Sequence, residues 1–356
     1  MLARSMATDA PDFHSQPALP KEISALGPGV EGEELEFENS LRPRRWAEFV
    51  GQARTVENLQ IALGAAQERK EALDHVLFAG PPGLGKTSLA RIVAAELGVT
   101  LHATTGPALE RARDLVGILT QLKRADVLFI DEVHRVPPAV EEYLYTAMED
   151  FSVDLTLDQG PNARVLPLKL EPFTLIGATT REGLLSAPFR GRFGLVERLV
   201  PYPEVDLVAI LERAARILSM ALDPKAAQAL AARSRGTPRI ANRFLRRARD
   251  LKQVRKATRI DCALAEEAMQ RLGVDSNGLE DLDRRILLCL ARSKGQPLGI
   301  KTIAAAVGES EDTLEEVFEP HLLRCGFVQK TQRGRVLTAE GARAIGLVLE
   351  SSPEAS

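Results

Sequence analysis

Three changes of pattern along the chain predict an α/β domain built on a parallel sheet with flanking helices, then a small helical domain, then a winged helix. Short apolar runs alternate with helical stretches from Leu41 to Glu204. After that, strand signals stop and helical periodicity continues to about Leu272. The last unit orders helices before two short strands around a turn. The boundaries that follow are 1–38 for a leader, 39–204 for the α/β domain, 205–276 for the helical domain, 277–347 for the winged helix and 348–356 for a tail. A chain of 356 residues exceeds the length at which one core stops growing, so several domains are expected.

Residues 1–38 are rich in Pro, Gly, Ser and Glu, with five glutamates between Glu31 and Glu38, and read as a disordered acidic leader. The runs "HVLFAG", "VTLHA", "DVLFIDE" and "FTLIGATT" alternate with helices at 86–97 and 139–148. Strands this uniformly apolar are buried on both faces, as in a parallel sheet. In the last unit, helices are expected at 282–292, about 300–307 and 311–324, with the turn "GESED" before the third and two strands within "FVQKTQRGRVLT".

Apolar residues at 45% and charged residues at 27% describe a folded, water-soluble chain. No run approaches the roughly 18 apolar residues of a membrane helix, and no signal peptide opens the chain, so it reads as cytoplasmic with no membrane partner. Cys262, Cys289 and Cys325, odd in number and widely spaced, read as buried thiols in a reducing compartment, and the five histidines form no metal cluster with them. The net charge of −3 gives no overall polyelectrolyte signal. Val205–Leu272 carries 15 Lys and Arg against 7 Asp and Glu, whereas Gly273–Leu347 carries 10 against 11.

The chemistry concentrates in five motifs. "GPPGLGKT" follows an apolar strand, Val76–Ala79, and opens a helix, the context a phosphate-binding loop requires. Gly80, Gly83 and Gly85 free the backbone N–H groups to close on phosphate oxygens, Lys86 reaches the β and γ phosphates, and Thr87, followed by Ser88, holds Mg²⁺. "VLFIDEVHR" delivers Asp131 to the magnesium shell and Glu132 to polarise water. "LIGATT" brings either Thr179 or Thr180 to the γ-phosphate. "SAPFRGRFG" offers Arg190 and Arg192 to a neighbouring subunit's nucleotide, or to solvent. "GTPRIANRFLRRARD" starts a helix with Thr237 as cap and Pro238 in the first turn, placing Arg239 near phosphate above a solvated face of Arg243, Arg246 and Arg247.

The order of phosphate loop, "DEVHR", "GATT", "RGRFG" and "GTPR" resembles the AAA+ ATPases. The longer runs "LRPRRWAEFVGQ", "EALDHVLFAGPPGLGKTSLA", "AMEDFSVDL", "PFTLIGATTREGLLSAPFRGRFG", "RSRGTPRIANRFLRR" and "GFVQKTQRGRV" resemble the RuvB family within them, from about Leu41 to Gly346. The resemblance implies a homo-oligomeric, typically hexameric ring that uses ATP and Mg²⁺ to drive duplex DNA through a Holliday junction in recombination and repair. Its partners would be a RuvA-type junction-binding protein and the RuvC resolvase. It places Leu41 and Arg42 near the base, Tyr202 and Arg239 on the lid side, and Glu149, Asp150 and Phe151 in the nucleotide site. It makes Arg192 the trans-acting finger, Lys330, Arg333 and Arg335 the DNA contacts, and Leu155 and Leu157 the partner contacts on a hairpin at 154–170. The chain departs from the family at Lys330, Gly191 and Ser88, where arginine, an acidic residue and threonine are usual. A nucleotide-switched DNA-binding regulator, a loader or remodeller, and a divergent paralogue with another partner are the competing functions.

Overall fold

The computed structural model describes residues 22–24, 32–156 and 165–347. Its centre is a six-stranded, wholly parallel sheet in the order β1 (Glu22–Ser24), β3 (Leu101–Thr105), β4 (Val127–Asp131), β7 (Thr174–Thr179), β2 (Val76–Ala79) and β8 (Leu195–Arg198). Side chains alternate faces along a strand. Val76 and Phe78 therefore enter one core, with Leu59, Leu89 and Val93 of the helices Ala53–Arg69 and Lys86–Leu97. Leu77 enters the other, with Leu115 and Leu144 of Ala112–Leu119 and Pro138–Glu149. Burial on both faces explains why these strands read as unbroken apolar runs. β5 (Ser152–Thr156) and β6 (Val165–Lys169) form a separate antiparallel pair with Leu155 opposite Leu166.

The helical domain comprises Glu204–Ile217, Pro224–Ala232, Pro238–Val254 and Cys262–Arg271. Its Leu207, Leu211, Phe244 and Leu245 join the same core as Val76 and Phe78, so the expected boundary near residue 204 divides helices from sheet but not one core from another. The winged helix has its own core around Leu287, Ile303, Leu314 and Leu322. Its helices Asp281–Arg292 and Ile300–Val307 match the expected spans. The expected helix at 311–324 instead breaks into Glu311–Thr313, a π turn at Leu314–Phe318, and Glu319–Arg324. Pro320 has no N–H to give the Glu316 carbonyl four residues earlier, and the helix widens there. β9 (Val328–Thr331) and β10 (Gly334–Leu337) form the wing.

Three expectations are corrected. The leader is not wholly structureless: residues 22–24 pair with β3 at the sheet edge, and Gly32–Leu41 is helical. The thiols are not buried, since Cys262 is exposed and Cys289 and Cys325 are partly so; all three are free. Thr237 occupies the N-cap position without capping, because its hydroxyl donates to the Arg235 carbonyl at 3.3 Å. Among the described residues no group of three or more His, Cys, Asp and Glu could hold a metal, and no helix is long and apolar enough to cross a membrane.

Candidate functional site

The loop between β2 and the helix Lys86–Leu97 bends through left-handed backbone at Gly80, Gly83 and Gly85 (φ +134°, +78° and +105°). A Cβ on Gly83 would lie 2.8 Å from Thr237 Cγ2 and 2.9 Å from Arg239 Cβ, so the absent side chain is what lets the helical domain touch the loop. The helix directs its unpaired N–H groups and positive dipole end at the loop's interior. Lys86 is 7% exposed. Its Nζ donates to the carbonyls of Gly80 (2.6 Å) and Pro81 (2.9 Å). Burial lowers its pKa to about 8.

β4 ends in the two carboxylates. Burial raises the pKa of Asp131, opposed by the Glu132 N–H that its Oδ1 accepts at 2.9 Å and by the charge of Lys86. A cation beside Asp131 and Thr87, which line the same cavity, would offset the cost of burying that carboxylate, so the donor set fits Mg²⁺. Glu132 is itself left-handed (φ +49°), a strained conformation for a residue with a side chain, and its carboxylate pairs with Arg135 at 2.8 Å.

At the end of β7 the two threonines diverge, as the twofold strand period dictates. Thr179 is 1% exposed; its Oγ1 lies 3.0 Å from His134 Nδ1 and accepts the Arg181 N–H at 3.0 Å. Thr180 lines the cavity, and its hydroxyl donates to Glu316 of the winged helix at 3.2 Å.

From the helical domain, the Tyr202 hydroxyl donates to the Leu84 carbonyl at 3.1 Å, and Arg213 donates to the Leu41 carbonyl at 2.8 Å. Glu38 stands 3.6 Å from Arg42 and 3.5 Å from Arg239. The cavity is about 430 Å³, large enough for a small organic ligand. Leu41, Arg42, Gly83, Gly85, Lys86, Thr87, Ser88, Asp131, Glu132, Thr180, Tyr202 and Arg239 all line it.

Gly80 stops short of it, and five further expected residues do not line it. Thr179 faces His134 instead. Phe151 packs 5.9 Å from the ring of Phe173, and Asp150 is exposed at the helix end before it. Arg192 lies apart with Glu149, which accepts its Nη2 at 3.1 Å, while Nη1 donates to the Pro188 carbonyl at 2.8 Å. Within one chain Arg192 and Glu149 form a second cluster, outside the pocket.

The wing is divided in the same way. Lys330 is 54% exposed, with Glu319 at 3.4 Å, and Arg333 sits in the turn. Arg335 is only 8% exposed, held by Glu319 (2.5 Å) and Glu315 (3.0 Å), so as folded it faces the domain interior and not a DNA backbone. Val328, Leu337, Arg335 and Lys330 share one face of the hairpin; Arg335 is the more deeply covered of the two cations because Glu315 and Glu319 both close on it, whereas Lys330 meets Glu319 alone. On the partner hairpin only the backbone of Leu155 is placed; Leu157 lies outside the described residues.

Residues that sequence reasoning missed are Glu38, Phe49, His134, Arg181 and Glu316. Periodicity could have found Glu38, which lies one helical turn before Arg42. Nothing local in the sequence pairs Arg181 with a residue 135 positions later.

Three domain models match the chain in order: the Holliday junction DNA helicase RuvB P-loop domain over residues 41–199, the RuvB AAA lid domain over 202–275, and the RuvB C-terminal winged helix domain over 276–346. The chain belongs to the RuvB family. RuvB from Myxococcus xanthus, named there as a Holliday junction branch migration complex subunit, is 56% identical over 89% of this chain and 93% of its own length. The Chlorobium phaeovibrioides RuvB is 52% identical over 89% of this chain and 92% of its own. The solved Thermotoga maritima RuvB branch migration motor superposes with a TM-score of 0.80 at 46% identity, covering 87% of this chain and 100% of that one. As a RuvB-family protein, the chain is a P-loop AAA+ ATPase of the motor class, with a lid and a winged helix.

Proposed function

We propose that the chain is the ATP-driven motor of Holliday junction branch migration, working as a hexameric ring with a RuvA-type partner in recombination and repair. The observation that carries this reading is the pocket at the joint of sheet and lid, which gathers Lys86, Thr87, Asp131, Glu132, Thr180 and Arg239 around one cavity. Lys86 and the loop N–H groups hold the phosphates. Thr87 and Asp131 would hold Mg²⁺, which would neutralise phosphate charge when bound. Glu132 orients and polarises the attacking water, and Tyr202 and Arg239 close the lid side.

The second cluster supports the ring. Arg192 and Glu149 lie outside their own chain's pocket, which suits a finger offered to the next subunit together with Asp150 and Phe151. Lys330 and Arg333 of the wing contact phosphates without reading sequence, as translocation requires. The 154–170 hairpin, bearing Leu155 and Leu157, docks RuvA, and RuvC follows in the same complex.

ATP-dependent dissociation of a synthetic four-way junction, with and without a RuvA-type protein and with Lys86→Ala as control, tests the reading. Partner-stimulated dissociation supports it. ATP hydrolysis without junction processing replaces it with a paralogue that keeps the engine and uses another substrate.

A further inference from the structure

The winged helix reaches back to the floor of the nucleotide pocket. Glu316 Oε2 accepts the Thr180 hydroxyl at 3.2 Å, Glu316 Oε1 lies 2.6 Å from Arg181 Nε, and Asp312 accepts Arg181 Nη2 at 2.8 Å. The side chains of Arg181 and Glu316 are each one-quarter exposed, so this contact is partly withdrawn from solvent screening. Thr180 lines the cavity together with Lys86, Asp131 and Glu132, the groups placed around a terminal phosphate.

We propose that Glu316 and the γ-phosphate of a nucleoside triphosphate are alternative partners of the Thr180 hydroxyl, with Arg181 holding Glu316 in place while the winged helix is docked. Glu316 is thereby a specificity-determining residue that sets triphosphate against diphosphate and couples that choice to docking of the winged helix. The inference rests on the nucleotide reading of the pocket. Thr180 has one hydroxyl proton to donate, and two anions converging on it repel each other in a medium less polar than water. A diphosphate has no γ-phosphate to compete and leaves the contact closed.

Two features make the contact separable. Glu316 sits in the π turn Leu314–Phe318, an irregularity frequent at functional positions. The winged helix also keeps its apolar core to itself, so undocking Glu316 exposes polar groups and tears no shared core.

The test uses the full-length chain and fluorescent ADP and β,γ-imido ATP as probes, titrated into wild type and Glu316→Gln. The variant removes the charge and keeps the shape. The expected result is about tenfold tighter binding of the triphosphate analogue by the variant, with ADP affinity unchanged, because the docked fraction no longer lowers apparent affinity. Hydrogen exchange on wild type should be faster at 180–183 and 311–318 with the analogue than with ADP, and in Glu316→Gln already fast with ADP. A wild-type ratio of the two affinities in the variant, or equal protection of both segments with either nucleotide in wild type, overturns the proposal. Failure of the pocket itself shows differently, as loss of both affinities in wild type, and takes the proposal with it.

Discussion

The Arg192 guanidinium carbon sits 4.4 Å from the centroid of the Tyr145 ring, and the Tyr145 hydroxyl is tied to Glu141 and lies 3.0 Å from Ser186 Oγ. The ring is thus held by its hydroxyl, a platform for the cation. Arg192→Ala should bind ATP with wild-type affinity and lose about a thousandfold in kcat, the lower range for a transition-state arginine. Tyr145→Leu should lose roughly fivefold, the worth of about 1 kcal/mol of cation–π contact. Steady-state hydrolysis beside equilibrium nucleotide binding measures both, and normal turnover by the alanine variant would remove Arg192 from the mechanism.

Both hydrogen bonds of the Lys86 ammonium stay within its own loop, on the Gly80 and Pro81 carbonyls. Lys86→Ala should therefore unfold at the wild-type temperature within a few degrees and bind ATP at least about a hundredfold more weakly, the loss of a charge-assisted contact of 3 kcal/mol or so. Calorimetry of unfolding and of nucleotide binding separates the two effects. Retained affinity would move the phosphate site elsewhere.

Arg235 and Asp283 join the helical domain to the winged helix with a 2.5 Å contact between Arg235 Nη2 and Asp283 Oδ2, side chains 4% and 0% exposed. Asp283→Leu leaves a guanidinium buried without its charge partner. It should cost about 3 kcal/mol, read as a lowered denaturant midpoint of the transition that includes the winged helix. A cost below half that would show that water or Glu280 takes over the role.

His321 lies behind that pair. Its Nδ1 is 3.2 Å from Arg324 Nη2, and burial together with the charges of Arg235 and Arg324 lowers its pKa to about 3. The folded chain keeps the imidazole neutral, while the unfolded chain binds a proton below its ordinary value of about 6.5. Stability is therefore fully present above pH 6.5 and falls as the pH drops towards 3, with a limiting slope of about 1.4 kcal/mol per pH unit from this one group. Stability measured at pH 7.5, 6 and 5 should decline in wild type and decline less in His321→Gln. Parallel declines would assign the acid sensitivity to other groups.

In the wing, Lys330→Ala and Arg333→Ala should each weaken duplex binding equally on all sequences and flatten the slope of log affinity against log salt by about 0.9. Arg335→Ala should act through folding instead, because it strands Glu315 and Glu319. A lowered unfolding temperature with an unchanged salt slope is the expected signature, and the converse would return Arg335 to the DNA contacts.

The engine was legible because its signals are local. A strand, a glycine loop and a helix must follow one another directly, and Val76–Ala79 and Lys86–Leu97 appear where the patterning placed them. The leader misled because composition alone represented it: five glutamates suggest solvated chain, yet Glu38 finds two arginines, one of them in another domain. Arg335 misled for a related reason, since a cation on a wing reads as exposed until Glu315 and Glu319 arrive from a helix. Arg181 with Glu316, and Arg192 with Tyr145, depend on how distant segments pack, which no spacing rule records.

The core that runs unbroken from Val76 to Phe244, and halts before the winged helix, gives the molecule a mechanical grain. Close-packed apolar interiors resist deformation. Sheet and lid therefore respond to load as one stiff block, with the nucleotide cavity in its seam. The winged helix hangs from that block on charged pins, Arg235 on Asp283 and Arg181 on Glu316. Deformation between the wing and the block therefore falls on those polar pairs before the packed interior of either yields.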